Sequence, residues 1–291
     1  MMYSAFRAVS NMAAFCGLIA GLLPVYALCL TLAPRKRHRI SRTFFRGCVA
    51  LTGLRLNVVG KPAPDMAIYA ANHASYLDIP ILGALLSQGT FVAKNDVASW
   101  PVFGFLARLS RTIFISRKPA AIRYQCKQMR RRIDDGAALI LFPEGTSTDG
   151  AHVRAFKSSL FACLDGVKRD AWVQPVSIAY TRHKDGTPLD QAAREQFTWF
   201  GDMTLVPHLF NVFGSPGCEV DVVFHAPLSV ENFPGRKALT MACWRLISNQ
   251  VGTSIGASVL QPVTPVTDNE AAVAQSVDQA PRRSSSLSAS A

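Results

Sequence analysis

Between residues 54 and 228 the chain alternates short apolar runs with longer segments of helical periodicity. The short runs are rich in β-branched and aromatic residues, which is typical of buried strands. They are LRLNVVG, MAIYAANH, TFVAKND, RTIFIS, AALILF, WVQPVSIAY and EVDVVFHAPL. Helical segments lie between several of them, such as AIRYQCKQMRRRIDDG, whose Met129 and Ile133 we expect to face inward. This alternation predicts an α/β fold with a mixed, largely parallel sheet flanked by helices.

The N-terminal pattern is different, because residues 13–33 contain no charged side chain. A helix of this length is about 30 Å long, which matches the hydrocarbon thickness of a bilayer. Six Lys or Arg residues follow within 35–46, and the positive-inside rule then places the rest of the chain on the cytoplasmic side. We therefore predict a membrane anchor over 1–34. A cleaved signal peptide is disfavoured because the charges follow the apolar stretch, while Pro24 leaves open a full span or a half-inserted helix.

Residues 35–54 predict a basic amphipathic helix. Apolar side chains recur there at helical spacing while arginines occupy the other sides; the apolar positions are Ile40, Phe44, Cys48 and Leu51. A helix with one apolar and one cationic face suits the headgroup layer of a membrane. Its position beside the anchor favours this interfacial location over the alternative, a core-facing helix with a solvated basic side.

The remainder predicts one globular domain over 55–260 and a disordered tail over 261–291, which is rich in Pro, Ser, Thr and Ala. The formal net charge of +12 indicates an anionic partner. Nucleic acid is not needed to explain this charge, because 11 of the 31 Lys and Arg residues fall in two segments, 35–46 and 123–132, that suit a membrane surface. The seven cysteines contain no CxxC spacing, which predicts reduced thiols and no structural metal.

The most informative polar stretch is NHASYLD, residues 72–78, at the end of a predicted strand. Five residues of continuous helix advance about 500°, so His73 and Asp78 would diverge by roughly 140°. The two side chains can meet only if His73 lies in the turn before a helix that carries Asp78 in its first turns. The carboxylate would then fix the tautomer of the imidazole and leave its other nitrogen as a general base. The alternative is a buried histidine paired with an aspartate for packing.

Two further polar clusters follow at predicted strand ends. The FPEGT segment places Glu144, Gly145 and Thr146 in a turn, where backbone N–H groups and a hydroxyl can hold an anion or a polyol. The RTIFISRKP segment ends in Arg117 and Lys118, and an arginine there can bind a phosphate or a carboxylate. Each cluster has a plainer alternative, which is a solvated turn for the first and an exposed basic pair for the second.

Taken together, NHxSxxD, IFIxR, FPEGT and VQPV in this order resemble the four sequence blocks of the glycerolipid acyltransferase family, which includes the lysophosphatidic acid acyltransferases. The resemblance runs from about residue 60 to residue 180. It implies transfer of a fatty acyl group from a thioester of acyl carrier protein or coenzyme A to the hydroxyl of a lysolipid, without a cofactor. The N-terminal anchor is similar to that of bacterial members, which implies the bacterial inner membrane with the catalytic domain on its cytoplasmic face.

The resemblance also assigns roles to matching positions. It implies that His73 removes the proton from the acceptor hydroxyl and that Asp78 orients and charges the imidazole. The substrate-binding residues it implies are of two kinds, those that shape the catalytic turn and those that hold the polar head of the acceptor. The first are Asn72 and Ser75, and the second are Arg117, Glu144, Gly145 and Thr146.

Two features bear on the acceptor. Ser147 and Thr148 follow FPEGT where many lysophosphatidate enzymes have Arg-Ser, so one cation expected near a phosphate is missing. The segment WFGDMTLVPHLF, residues 199–210, resembles a bacterial subgroup that acylates lyso-ornithine lipid. The acceptor is therefore lyso-ornithine lipid or 1-acyl-glycerol-3-phosphate, and both features favour the first. His208 is a second candidate histidine or a packing residue. The alternatives to acyl transfer are a membrane-surface binding module and a thioesterase.

Overall fold

The computed structural model describes residues 3–33, 36–86, 88–116, 119–168 and 170–256. The predicted tail over 261–291 and the predicted binding residue Arg117 lie outside the described residues.

The described residues form a single sheet of eight strands. The strands are β1 (Arg55–Val59), β2 (Ile68–Ala71), β3 (Gly89–Lys94), β4 (Ile113–Ile115), β5 (Ala138–Leu141), β6 (Trp172–Arg182), β7 (Glu219–Phe224) and β8 (Leu228–Ser229). Their order is β1-β7-β6-β2-β5-β3-β4, with β8 paired to β6. The pairs β6–β7 and β6–β8 are antiparallel, and the other described pairs are parallel. The predicted α/β class with a mixed, largely parallel sheet is confirmed.

Burial along the strands explains their sequences. The central strand β2 is buried at every position, as expected where both faces of a sheet are covered, and so it reads as a continuous apolar run. Strand β7 lies next to an edge strand and alternates, with Val220, Val222 and Phe224 buried and the residues between them half-exposed.

Helices cover both faces of this sheet. They are α1 (Ala5–Leu32), α2 (Arg37–Leu51), α3 (Asp78–Leu85), α4 (Phe103–Leu109), α5 (Pro119–Asp134), α6 (Gln191–Glu195), α7 (Leu205–Gly214) and α8 (Arg236–Ser254), with 3-10 turns at Asn95–Ser99, Ser158–Leu164 and Val230–Asn232. On one face α2 and α3 contribute Val49 and Leu82 to the core. On the other face α5 and α8 contribute Ile133 and Cys243.

Helix α1 is long and apolar enough to cross a membrane by length and composition. It is also bonded to the domain along its length, because Asn11 Nδ2 donates to the carbonyl of Phe213 at 2.9 Å and the Tyr26 hydroxyl donates to the carbonyl of Leu109 at 3.0 Å. Its opposite side is exposed and apolar; the exposed large side chains are Phe6, Val9, Val25, Leu28 and Leu32. The predicted N-terminal apolar helix is confirmed.

Helix α2 turns its apolar side toward protein. Phe44, Cys48 and Leu51 pack in one cluster with residues of α1 and α7, and the Phe45 ring lies where a Cβ at Gly83 of α3 would collide with it. The solvent side carries arginines, including exposed Arg39 and Arg46. The apolar face therefore matches the core-facing alternative, while contact of the basic face with a membrane surface stays a prediction.

Candidate active site

The predicted His73–Asp78 pair is present. Strand β2 ends at Ala71, His73 lies in the turn that follows, and Asp78 is the first residue of α3. His73 Nδ1 and Asp78 Oδ2 are 2.8 Å apart. The Asp78 side chain is fully buried, whereas that of His73 is 19% exposed. Because Asp78 occupies Nδ1, the other ring nitrogen, Nε2, is the one that can meet a substrate.

Asp78 is surrounded by hydrogen-bond donors. Its Oδ2 also accepts the backbone N–H groups of Ala74 at 2.8 Å and Ser75 at 2.9 Å, and its Oδ1 accepts the Tyr180 hydroxyl at 2.8 Å. Burial, followed by the nearby Asp78 carboxylate, holds the pKa of Tyr180 well above its usual value of 10, so the phenol stays protonated and donates. A buried carboxylate is tolerated when its oxygens are satisfied in this way.

The His73 ring is held in a fixed plane. It stacks on Phe142, with ring centroids 4.1 Å apart and an interplanar angle of 21°. The carbonyl of His73 accepts the backbone N–H of Thr148 at 3.0 Å, and the neighbouring Ala74 carbonyl accepts that of Trp199 at 2.8 Å. The turn that carries His73 is therefore fixed on two sides by distant parts of the chain.

Glu144 lies beneath this turn with both carboxyl oxygens on backbone groups. Its Oε1 accepts the N–H of His73 at 2.6 Å and its Oε2 accepts the N–H of Arg154 at 2.7 Å. The residue is 2% exposed, and burial is the main reason that its pKa rises to about 8. This geometry favours a role in which Glu144 joins the turn of His73 to the segment of Arg154. Direct contact of Glu144 with the acceptor stays a prediction.

Asn72 and Ser75 are likewise satisfied by the protein. The Asn72 amide accepts the N–H of Ile178 at 2.8 Å and donates to its carbonyl at 2.9 Å, which fastens the turn to β6. Ser75 Oγ accepts the N–H of Leu77 at 3.3 Å in the turn before α3, which begins at Asp78. Both side chains are buried. Their positions suit the predicted shaping of the catalytic turn.

The FPEGT turn presents a different set of atoms. Gly145 has a φ of 68°, and a Cβ there would lie 3.3 Å from Lys157 Nζ, so the ammonium group lies directly over the turn. Thr146 is half-exposed beside it. The Lys157 ammonium and the Thr146 hydroxyl are therefore polar groups of this turn that are not buried.

Several contacts in the site could not be read from the sequence. Tyr180, Trp199 and Phe142 gave no separate signal, because strand and loop aromatics are usually core residues. His208 lies against Tyr76 rather than His73, with its Nδ1 2.9 Å from the Tyr76 hydroxyl. Burial lowers the pKa of His208, which favours the neutral imidazole.

An apolar cavity of about 200 Å³ adjoins the turn that carries His73. Tyr76 and Leu77, which lie between His73 and Asp78, form part of its wall. The rest of the lining comes mainly from apolar side chains of α1, α2, α4 and α7, including Phe15, Leu22, Phe44 and Phe103. An apolar space with this lining suits a fatty chain.

Comparison with known proteins adds independent information. A family model described as Acyltransferase matches residues 55–179. The lyso-ornithine lipid O-acyltransferase of Rhodobacter capsulatus is 40% identical over 210 residues, which cover 71% of this chain and 74% of that protein. The lyso-ornithine lipid O-acyltransferase of Brucella abortus is 35% identical over 255 residues, covering 85% of this chain and 93% of that protein.

A solved structure shares the fold. The crystal structure of the 1-acyl-sn-glycerophosphate (LPA) acyltransferase PlsC from Thermotoga maritima matches with a TM-score of 0.60. The match covers 88% of this chain and all of the Thermotoga chain at 21% identity, and at this identity it shows a shared fold only.

Proposed function

This chain belongs to the acyltransferase family, and we propose that it transfers a fatty acyl group from a thioester donor to the hydroxyl of lyso-ornithine lipid. The observation that carries the proposal is the 2.8 Å contact between His73 Nδ1 and Asp78 Oδ2 in a turn beside an apolar cavity. A purely structural pair would not need the ring to remain partly exposed, as it does here.

The proposed reaction is a direct transfer. The hydroxyl oxygen of the lysolipid attacks the thioester carbonyl carbon while His73 Nε2 accepts the hydroxyl proton. The new C–O bond forms, the C–S bond breaks, and the proton passes from the imidazolium to the leaving thiolate. Asp78 stabilises the transient imidazolium through Nδ1. No acyl-enzyme is needed, because the thioester is already activated.

The polar head of the acceptor is proposed to bind over the FPEGT turn. Lys157 brings a positive charge to this turn and Thr146 offers a hydroxyl. We keep the predicted Arg117 as a third contact. The head of ornithine lipid carries a carboxylate, which an ammonium or guanidinium group binds well.

Three observations support lyso-ornithine lipid over 1-acyl-glycerol-3-phosphate as the acceptor. The two relatives described above are both named lyso-ornithine lipid O-acyltransferases. Ser147 replaces an arginine expected beside a phosphate. The segment 199–210 contacts the catalytic turn directly, through Trp199 to Ala74 and His208 to Tyr76, so a subgroup-specific sequence lies where it can influence the acceptor.

Membrane attachment through α1 brings the site to its lipid substrates. We propose that α1 lies half-inserted at the cytoplasmic face of the inner membrane instead of crossing it. Asn11 and Tyr26 are bonded to the domain from opposite halves of the helix, and an α1 that left the domain to cross the bilayer would lose both bonds. The exposed apolar side of the helix would face the acyl chains.

A lysolipid panel tests the function. Purified protein is given an acyl thioester, as coenzyme A or acyl carrier protein derivative, with lyso-ornithine lipid or lysophosphatidate, and the products are identified by mass. We expect thiol release that depends on lysolipid and yields ornithine lipid. Lysolipid-independent thiol release would indicate a thioesterase, and vesicle binding without any release would indicate a binding module; either result overturns the proposal.

A further inference from the structure

A second cavity lies at the edge of the sheet opposite the catalytic turn. Its volume is about 220 Å³. It opens where β3 and β5 begin, and Gly89 and Ala137 form part of its wall. His73 and Glu144 instead follow the carboxyl ends of β2 and β5, which run parallel to each other and, in the case of β5, to β3. The cavity and the proposed active site around His73 therefore lie at opposite ends of these strands.

Basic side chains from three parts of the chain converge on this cavity. They come from α2, from the turn between α4 and β4, and from α5, and they are Arg37, His38, Arg42, Arg111 and Arg132. One carboxylate, that of Asp135, is among the lining residues. Four arginines and one aspartate give 4 − 1 = +3 with His38 neutral. In the described part of the chain, no carboxylate forms an ion pair with any of the four arginines.

The local geometry maintains this concentration of charge. Arg42 is held in place because its Nε donates to the carbonyl of Ala84 at 3.0 Å, in the last turn of α3. Arg111 adopts a left-handed φ of 58°, a backbone conformation that is unfavourable for a non-glycine residue. Burial, followed by the charges of Arg37 and Arg111, lowers the pKa of His38. An anion between these groups would relieve their mutual repulsion.

Apolar side chains form part of the cavity wall, and they bear on which class of anion the cavity can bind. Tyr26, Phe45 and Phe91 line both this cavity and the apolar one. Tyr26 belongs to the last turns of α1, where Leu28 and Leu32 are 58% and 75% exposed. A soluble anion would need only the arginines, whereas a lipid combines an anionic head with chains that can cover these apolar side chains.

We propose that this basic cavity binds the phosphate of an anionic membrane phospholipid, whose chains lie along the exposed side of α1. The site is additional to acyl transfer and does not depend on it. A bound headgroup would bridge α2, the α4–β4 turn and α5. It would therefore stabilise the folded protein and fix the depth of the domain at the membrane surface.

The test compares two double variants of equal charge. Arg111→Gln with Arg132→Gln removes two cavity arginines and leaves α1 and α2 intact. Lys127→Gln with Arg131→Gln removes two exposed charges from α5 that do not line the cavity. The full-length protein in neutral detergent is titrated with dihexanoyl phosphatidylglycerol while Tm is followed. We expect the lipid to raise Tm of the wild type and of the surface variant. In the cavity variant the apparent Kd for the lipid should be at least about tenfold higher.

Further arms separate the sources of the anion. Inorganic phosphate and coenzyme A are titrated in the same way, with dihexanoyl phosphatidylcholine as the uncharged-head comparison. If phosphate or coenzyme A raises Tm as much as phosphatidylglycerol does, the lipid assignment is overturned. If the affinity for phosphatidylglycerol falls equally in both double variants, the effect comes from the overall charge of the protein and the cavity is not the binding site. If the cavity variant does not fold, Arg132→Gln alone takes its place. Acyl transfer that depends on His73 is measured in the same detergent, so failure here and failure of the proposed function are distinguished.

Discussion

The Tyr180 hydroxyl donates to Asp78 Oδ1 at 2.8 Å, although the two residues are 102 positions apart. The contact exists because β6 pairs with β2, with Val176 opposite Ala71 at the end of β2. It supplies the buried Asp78 carboxylate with a donor on the oxygen that does not face His73. The strand that carries the FPEGT turn is the other neighbour of β2, so β2 and the strands on both of its sides contribute to the site.

Removing this donor should weaken both stability and catalysis. Tyr180→Phe leaves Asp78 Oδ1 without its buried partner, which should lower the free energy of unfolding by about 1–3 kcal/mol. The turnover number should fall by roughly tenfold, because Asp78 would hold the imidazole less firmly. Chemical denaturation and steady-state kinetics measure the two effects. Tyr69→Phe is the matched control, since its hydroxyl bonds to Ala63 and not to a site residue. Equal kinetic losses in both variants would contradict the assigned role.

Glu144 should make stability depend on pH. Its pKa is raised from 4.5 to about 8, mainly by burial. A carboxyl group with a raised pKa contributes stability that is fully present below the unfolded pKa of 4.5 and is lost as pH rises through the folded pKa of about 8. The free energy of unfolding should therefore fall between about pH 5 and pH 8. Glu144→Gln should flatten this fall and cost about 1–3 kcal/mol at pH 5, since an amide nitrogen cannot accept a backbone N–H.

The control for this prediction is Glu231→Gln, which changes an exposed carboxylate. Denaturation curves at several pH values are compared for the three proteins. The same pH slope in the wild type and in the Glu144→Gln variant would contradict the prediction.

Lys157 should act on binding of the acceptor more than on chemistry. Lys157→Met removes the charge over Gly145 and keeps much of the aliphatic stem, so KM for the lysolipid should rise by roughly tenfold while kcat changes little. Lys237→Met, on the exposed side of α8, is the charge-matched control. A fall in kcat without a change in KM would place Lys157 outside the acceptor site.

The apolar cavity should determine which acyl chains are accepted. Leu106 of α4 lines it, so Leu106→Trp should shorten the space and shift the preference toward shorter donors. Phe105→Trp enlarges the neighbouring residue, which is 51% exposed and not part of the lining. Competition among donors of different chain length gives the ratio of kcat/KM values. An unchanged ratio in the Leu106→Trp variant would remove the cavity from acyl binding.

The sequence sufficed for the contact between His73 and Asp78, because five residues and a strand-to-helix turn decide whether the pair can meet. The sequence could not predict the contact of Tyr180 with Asp78 or that of Trp199 with Ala74, since each joins segments that are far apart along the chain. Glu144 looked like a ligand contact in FPEGT, and only the folded chain places both of its oxygens on backbone N–H groups.

The same distinction holds for the helices. The spacing predicted which side chains form the apolar face of α2, but its position beside the anchor favoured the membrane interface for that face. In the structure the face packs against α1 and α7. Helix α7 is an element that the strand and helix pattern did not predict. Helix α8 was also missed. Its buried hydrophobic residues recur every four positions, at Leu239, Cys243, Ile247 and Val251, but exposed Met241 and Leu246 interrupt the apolar stripe.

The most direct test of the central claim is thiol release by the His73→Ala variant, measured with an acyl thioester and lyso-ornithine lipid in the same detergent as the wild type. Loss of the general base should reduce the turnover number by on the order of 10² to 10⁴, while circular dichroism and Tm show a folded protein. Release within a few-fold of the wild-type rate by folded protein would contradict the assignment of His73 as the base.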